Sequence, residues 1–203
     1  MQQLGDLAGV RQGLVRVGRG AGRRSGDWVL RIVESRHVRD GHLDSDDLEE
    51  IGVVRNVRTE RHLLRPFDVL VTARAGRAEC ALVPADVWRT VAGVTMLVVR
   101  PDHTQSGLGH YLWYFLNSTQ GRSRLARRMT TTATLKSLTA KNLAQVEVPV
   151  PSPSQLDTVA RLVEASEAAY KSEVEAARLR REVLRDSIIH DIGRTAVSAT
   201  QED

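Results

Sequence analysis

The chain has 203 residues, 41% of them hydrophobic, and 29 Lys and Arg against 25 Asp and Glu, a net charge of +4. That is apolar material for one medium domain plus an appendage, and it excludes global disorder. Cys80 is the only cysteine, which excludes a disulfide framework and a cysteine-based zinc site. No apolar run reaches the ~18–20 residues that a membrane-spanning helix needs, so no membrane partner is expected. The opening MQQLGDLAGV lacks a charged segment followed by an apolar one, so a cytoplasmic protein is expected.

In chain order, residues 4–10 read as a short helix or turn and residues 13–17 as a first strand. GRGAGRRSG at 18–26 is a basic loop. WVLRIV at 28–33 is apolar and β-branched enough for a strand. Asp40-Gly41 within VRDGHL signals a tight turn. DVLVTA at 68–73 predicts a strand, Ala75-Gly76 a turn, and ECALV at 79–83 the returning strand. VAGVTMLVV at 91–99 predicts one core strand ended by Pro101.

GHYLWYFL opens a helix predicted to run on to Met129, with Tyr111, Tyr114 and Phe115 on its buried face. The hydroxyl-rich residues 130–134 are poor helix formers and read as a loop. VEVPV at 146–150 reads as an edge strand, because Pro149 cannot donate to a ladder. Ser154 is the expected N-cap of a last, long helix. Residues 155–190 hold no Gly or Pro, and Leu156, Val163, Tyr170, Ala177 and Leu184 recur every seven residues. Val159, Val174 and Ile188 lie on the same side. This predicts a helix of roughly 35 residues, or ~53 Å. Its stripe is too long for a small domain to cover, so part of it calls for a partner helix, with the Ala-rich centre allowing close approach. The expected organisation is α+β: a mixed β-sheet domain with flanking helices over 1–153, a long coiled-coil helix over 154–192, and a disordered tail over 193–203.

Residues 103–146 contain no Asp or Glu, yet carry Arg122, Arg124, Arg127, Arg128, Lys136 and Lys141. A phosphate backbone selects for such a stretch: Arg and Lys supply charge, Thr and Ser supply neutral donors, and a carboxylate would repel. Arg127-Arg128 alone could merely complement a helix dipole. Followed by the Thr/Lys segment, the pair points to nucleic acid. The expected contacts are Thr72, Arg74 and Arg77 on one loop, and Arg124, Arg127, Arg128, Thr132, Thr134, Lys136 and Lys141 on another. Nothing points to catalysis. The 18–26 loop lacks full G-x-G-x-x-G spacing, no G-x-x-x-x-G-K-[ST] or G-x-S-x-G is present, and the six histidines form no H-x-x-x-H pair.

Several segments together resemble the DNA-specificity subunit of type I restriction–modification systems. Val38-Arg39-Asp40-Gly41-His42-Leu43-Asp44 resembles its I-x-D-G-x-I-D turn, and Asp68 to Gly76 its D-I-L strand. Tyr111 to Ser118 resembles its Y-L-x-Y-x-L-x-S helix, Thr132 to Leu138 its G-x-T loop, and Val148-Pro149-Val150-Pro151 with Gln155 its lead into a spacer helix. The usual Gly of that loop is Thr131 or Thr132 here. The resemblance covers one target-recognition domain and one spacer helix, where a full member has two of each. It implies a non-catalytic subunit that binds double-stranded DNA and needs no cofactor itself. S-adenosylmethionine and ATP would sit in partner subunits: an adenine methyltransferase and, in some assemblies, a restriction subunit. A half-size chain would form a homodimer, or pair with another half subunit, and read a bipartite site in phage defence. The expected dimer contacts are Leu156, Val159, Val163, Tyr170, Val174, Ala177, Leu184 and Ile188. Two alternatives stand beside this: a module of another DNA-modification assembly, and a coiled-coil adaptor or inhibitor without DNA affinity.

Overall fold

The computed structural model describes residues 1–15, 28–45, 47–73, 78–102, 107–132 and 135–199. The chain divides into two compact units, Met1–Ala160 and Arg161–Asp203. It is α+β, with several sheets and a long C-terminal helix.

The first unit opens with β1 (Gln2–Gln3), α1 (Leu4–Leu7) and β2 (Ala8–Gln12), followed by β3 (Trp28–Val33). The first long strand thus precedes the expected 13–17; of that span residues 13–15 are described, and Leu14 forms a bridge to Gly93. The 38–43 turn is as predicted. β4 (Val38–Arg39) and β5 (His42–Leu43) pair, with Asp40 at φ +51° and Gly41 at φ +89°, the left-handed pair a tight hairpin demands. β6 (Glu49–Val53) and α2 (Val57–Arg61) come next. Then come β7 (Val69–Thr72), β8 (Cys80–Leu82), β9 (Thr90–Ala92) and β10 (Met96–Pro101).

A four-stranded antiparallel sheet runs in the order β2-β10-β7-β8, and a three-stranded sheet in the order β6-β3-β9. Leu70, Val98, Met96, Ala81 and Val83 pack with Val33, Val38 and Ala92 in one core cluster, so side chains from both sheets share it. Trp28, Leu30, Ile32, Ile51 and Val91 form a second. The apolar run 91–99 is therefore two strands in two sheets, not one. Gly93 makes the change: its N–H donates to Val33 O (2.7 Å) and its carbonyl accepts from Met96 N (3.0 Å). Both strands are buried, and only Gly93 and Thr95 mark the break in an otherwise apolar run.

One buried ion pair ties the sheet to its loop. The Asp68 carboxylate, fully buried, accepts from Arg65 N (2.9 Å), Arg100 Nε (3.0 Å) and Arg100 Nη2 (2.7 Å). Cys80 is buried beneath α3 (Leu108–Asn117), and burial pushes its thiol up to about 12.

The single helix expected to reach Met129 is two, α3 and α4 (Thr119–Arg128). Ser118 ends the first, donating from its N–H to Tyr114 O and Phe115 O. Its hydroxyl then caps the second, accepting from Gly121 N (3.1 Å). Phe115 is buried as expected and Tyr111 is half-buried, but Tyr114 is 60% exposed. A turn of 3.6 residues places Leu108, Leu112 and Phe115 on one face and swings Tyr114 off it.

Residues 130–134, expected as a loop, open with β11 (Thr130–Thr132), which pairs with β12 (Leu135–Ser137). The segment is indeed not helical, but threonine is also a good strand residue. α5 (Ala140–Ala144) and β13 (Glu147–Val148) close the unit, β13 pairing with β1.

The final helix, α6, spans Pro153–Ala199, or ~70 Å at 1.5 Å per residue. Its N-cap is Ser152 rather than Ser154: the Ser152 N–H and hydroxyl both donate to Gln155 Oε1 (2.9 Å each). Pro153 then takes the first helical position, where its missing N–H costs nothing. The first turns belong to the first unit, where Leu156 is buried and its backbone meets Gly107 (φ +75°); a Cβ on Gly107 would lie 2.5 Å from Leu156 O. The second unit is the rest of the helix. It reaches Ala199, past residue 192 where the sequence pattern ends it; residues 200–203 lie outside the described ones. Among the described residues, no helix is long and apolar enough to cross a membrane.

Candidate nucleic-acid interface

Two segments from distant parts of the chain meet at the end of β7. Leu138, just after β12, donates its N–H to Ala73 O (2.8 Å), and Ala73 N donates to Thr95 O (2.8 Å). The segment that follows the β11–β12 hairpin is therefore bonded to the end of β7. The sequence marks both as contact loops but offers no basis for joining them. Arg74, Arg77 and Thr134 lie outside the described residues, as does the side chain of Thr132.

The hydroxyl of Thr72 faces inward. Thr72 is 3% exposed, and its Oγ1 accepts from Glu79 N (2.9 Å), so it holds the strand end rather than facing a ligand. Thr130 acts similarly in the hairpin, donating from Oγ1 to Ser137 O (3.2 Å). The cations divide by role. Arg124 is half-buried: its Nη1 donates to Glu147 O (2.6 Å), and its guanidinium stands 5.7 Å from the Phe115 ring. That joins α4 to β13. Nearby, the Tyr111 hydroxyl bonds Pro149 O, and burial holds its pKa above the ordinary value.

Arg127, Arg128, Lys136 and Lys141 are exposed. Arg128 ties α4 to the segment after α5 through Nη1 to Gln145 Oε1 (3.1 Å), and its carbonyl accepts from Asn142 Nδ2 (3.1 Å). Arg127, Lys136 and Lys141 make no side-chain hydrogen bond or ion pair among the described residues. Thr139 caps α5 by accepting from Asn142 N (3.2 Å), which fixes the turn carrying Lys141. The result is a scaffold of buried apolar residues and bound arginine that presents unneutralised cations beside a hydroxyl-rich hairpin. Such a surface attracts a polyanion.

In the second unit, Tyr170, Val174, Leu184 and Ile188 are each about half exposed or more, as are Leu162, Leu179, Val183, Ile189 and Ile192. Ala177 is exposed, Val159 half-buried, and Val163 buried. Leu156, expected among the dimer contacts, is instead 1% exposed inside the first unit, where it serves the core. Heptad spacing is the same for a residue facing its own domain and one facing a partner, so the pattern alone cannot divide the stripe.

No protein-family model matches the chain, and no curated protein matches it. Solved structures do. One is a chain from a structure concerned with complex assembly and conformational transition of the type I R-M system. It is 19% identical, with a TM-score of 0.53 over 88% of this chain and 42% of that one. Another is the type I restriction-modification system S subunit from M. genitalium, 11% identical, with a TM-score of 0.56 over 89% of this chain and 42% of that one. The chain spans about two-fifths of the length of each. It therefore has the fold seen in the type I restriction–modification S subunit, with one sheet-based unit leading into one long helix.

Proposed function

We propose that the chain is a DNA-recognition subunit, or a recognition half of one, in a type I restriction–modification assembly. The observation that carries this is the hydrogen-bonded meeting of Ala73 and Leu138. It supports one composite surface with Arg127, Arg128, Lys136 and Lys141 around a threonine hairpin and no carboxylate between residues 103 and 146. The chain is non-catalytic in this reading. It recruits a methyltransferase subunit that carries S-adenosylmethionine, and a restriction subunit that uses ATP. Arg is suited to guanine edges, Lys and Thr to the backbone.

The long helix supports pairing with a second copy. From residue 161 to 175 its charge is mainly Glu (164, 167, 173, 175); from 178 to 185 it is mainly Arg (178, 180, 181, 185). Antiparallel pairing centred near Ala176-Ala177 sets each acidic half against a basic half and lets the backbones approach. Two identical recognition units related by a two-fold axis would then read an interrupted palindrome.

Titration of labelled random duplex with the full chain tests DNA binding. The expected result is binding at low salt whose log K falls with log salt. Arg127→Ala and Lys141→Ala should each lower that slope by about 0.9. Absence of binding at low salt, with and without the methyltransferase, sinks the reading. Pairing is tested by mass in solution: Leu184→Glu with Ile188→Glu should convert a dimer to a monomer, and a wild-type monomer at micromolar concentration refutes it.

A further inference from the structure

The loop between β8 and β9 carries a feature that neither basic loop accounts for. Trp88 is 63% exposed, whereas Trp28 and Trp113 are buried. Its neighbour Arg89 sits at φ +44°, a left-handed conformation unfavourable to a bulky side chain. The Arg89 guanidinium lies 4.6 Å from the Trp88 ring centroid.

The pair is rigidly presented. On one side Val87 packs against the core cluster of the two sheets. On the other, buried Thr90 donates from Oγ1 to Trp88 O (2.8 Å), and Arg31 N donates to Arg89 O (2.8 Å). The backbone is thus tied down on both sides while the two large side chains stay in water. Stacking uses the faces of the guanidinium and leaves its in-plane N–H groups available. Among the described residues, the Arg89 side chain has no hydrogen bond or ion pair to take them up. A partner that satisfies both halves must present a charged acceptor beside a C–H face that the indole can cover. A phosphodiester with its adjoining deoxyribose does so.

Resting on the DNA-recognition reading above, we infer that Trp88 and Arg89 form a further DNA contact, mounted on the three-stranded sheet. Arg89 donates to a backbone phosphate and the Trp88 indole covers the neighbouring sugar. The hydrogen bonds to Trp88 O and Arg89 O hold the left-handed Arg89, and with it the pair, in the binding geometry before DNA arrives.

The full chain and a labelled random duplex at low salt test this, read by DNA anisotropy and by acrylamide quenching of tryptophan emission. Trp88 supplies nearly all the quenchable emission, which Trp88→Phe should abolish. DNA should protect it from acrylamide. Arg89→Ala, which keeps the same backbone strain, should weaken binding about tenfold and lower the salt slope by about 0.9, as loss of one phosphate contact does. Trp88→Ala should weaken binding several-fold, and Trp88→Phe by less. Melting temperatures should change little in all three, because both side chains are exposed. Unchanged affinity and salt slope in these variants, with no protection of Trp88 from acrylamide when the wild-type chain binds DNA, overturns the inference and leaves the DNA reading standing. Failure of the wild-type chain to bind duplex removes both. Protection of Trp88 by a methyltransferase subunit without DNA would make this a protein-docking surface and would equally overturn it.

Discussion

The two units use apolar residues in opposite ways. In Met1–Ala160, Leu70, Val98, Met96 and Leu112 are fully buried, and the exposed large apolar residues are scattered. In the second unit, Leu184 is 63% exposed, and Val183, Ile189 and Leu162 more so. Burial within the chain stabilises the first unit. The stripe on the helix stabilises nothing until another surface covers it, since its free-energy gain comes from area removed from water. Similar residue types are therefore buried in one region and left in water in the other.

Substitutions sharpen that contrast. Asp68→Ala should have the largest effect, because it strands Arg100 and Arg65 N without their carboxylate. A loss of about 3–5 kcal/mol in urea unfolding is expected. Leu70→Ala should cost about 2–5 kcal/mol by leaving a cavity between the sheets. The same truncation at exposed Leu184 should leave unfolding of the first unit within about 0.5 kcal/mol. A large effect there would break the comparison and show that the helix stripe is already covered.

Smaller effects are expected at the junctions. Ser118→Ala removes the hydroxyl that caps α4 and should cost about 1 kcal/mol, read as a small fall in melting temperature. Cys80 checks the integrity of the first core without a substitution. With its thiol buried and pushed up to about 12, it stays protonated below that pH and should resist alkylation at pH 8 until urea unfolds the chain. Rapid alkylation of the folded protein would mean that the sheet and α3 open readily.

Much of this is legible in the residues. The Asp40-Gly41 hairpin, β3, β7, β8 and α6 can be read from local chemistry: left-handed turn residues, β-branched runs and seven-residue spacing. The differences share a cause. The run 91–99 reads as one strand because burial of both of its strands erases periodicity, while the change of sheet at Gly93 rests on contacts with Val33 and Met96. The helix expected through Met129 breaks at Ser118 because a hydroxyl able to cap one helix looks, in sequence, like one exposed on a longer helix. Trp88 is absent from the contact candidates because a lone Trp in a loop is indistinguishable from a core residue until its exposure is known.

Composition and spacing were sufficient for whatever depends on neighbours within a turn or two: charge segregation over 103–146, the Asp40-Gly41 hairpin, the amphipathic stripe. Tertiary structure decided whatever depends on contacts far apart in the chain. It joined Ala73 to Leu138, residues far apart in the sequence. It assigned Thr72 and Leu156 to the interior, and left Trp88, Arg127 and Leu184 outside. The reason is physical: propensity and periodicity act over a few residues, whereas exposure and charge pairing are properties of the packed chain.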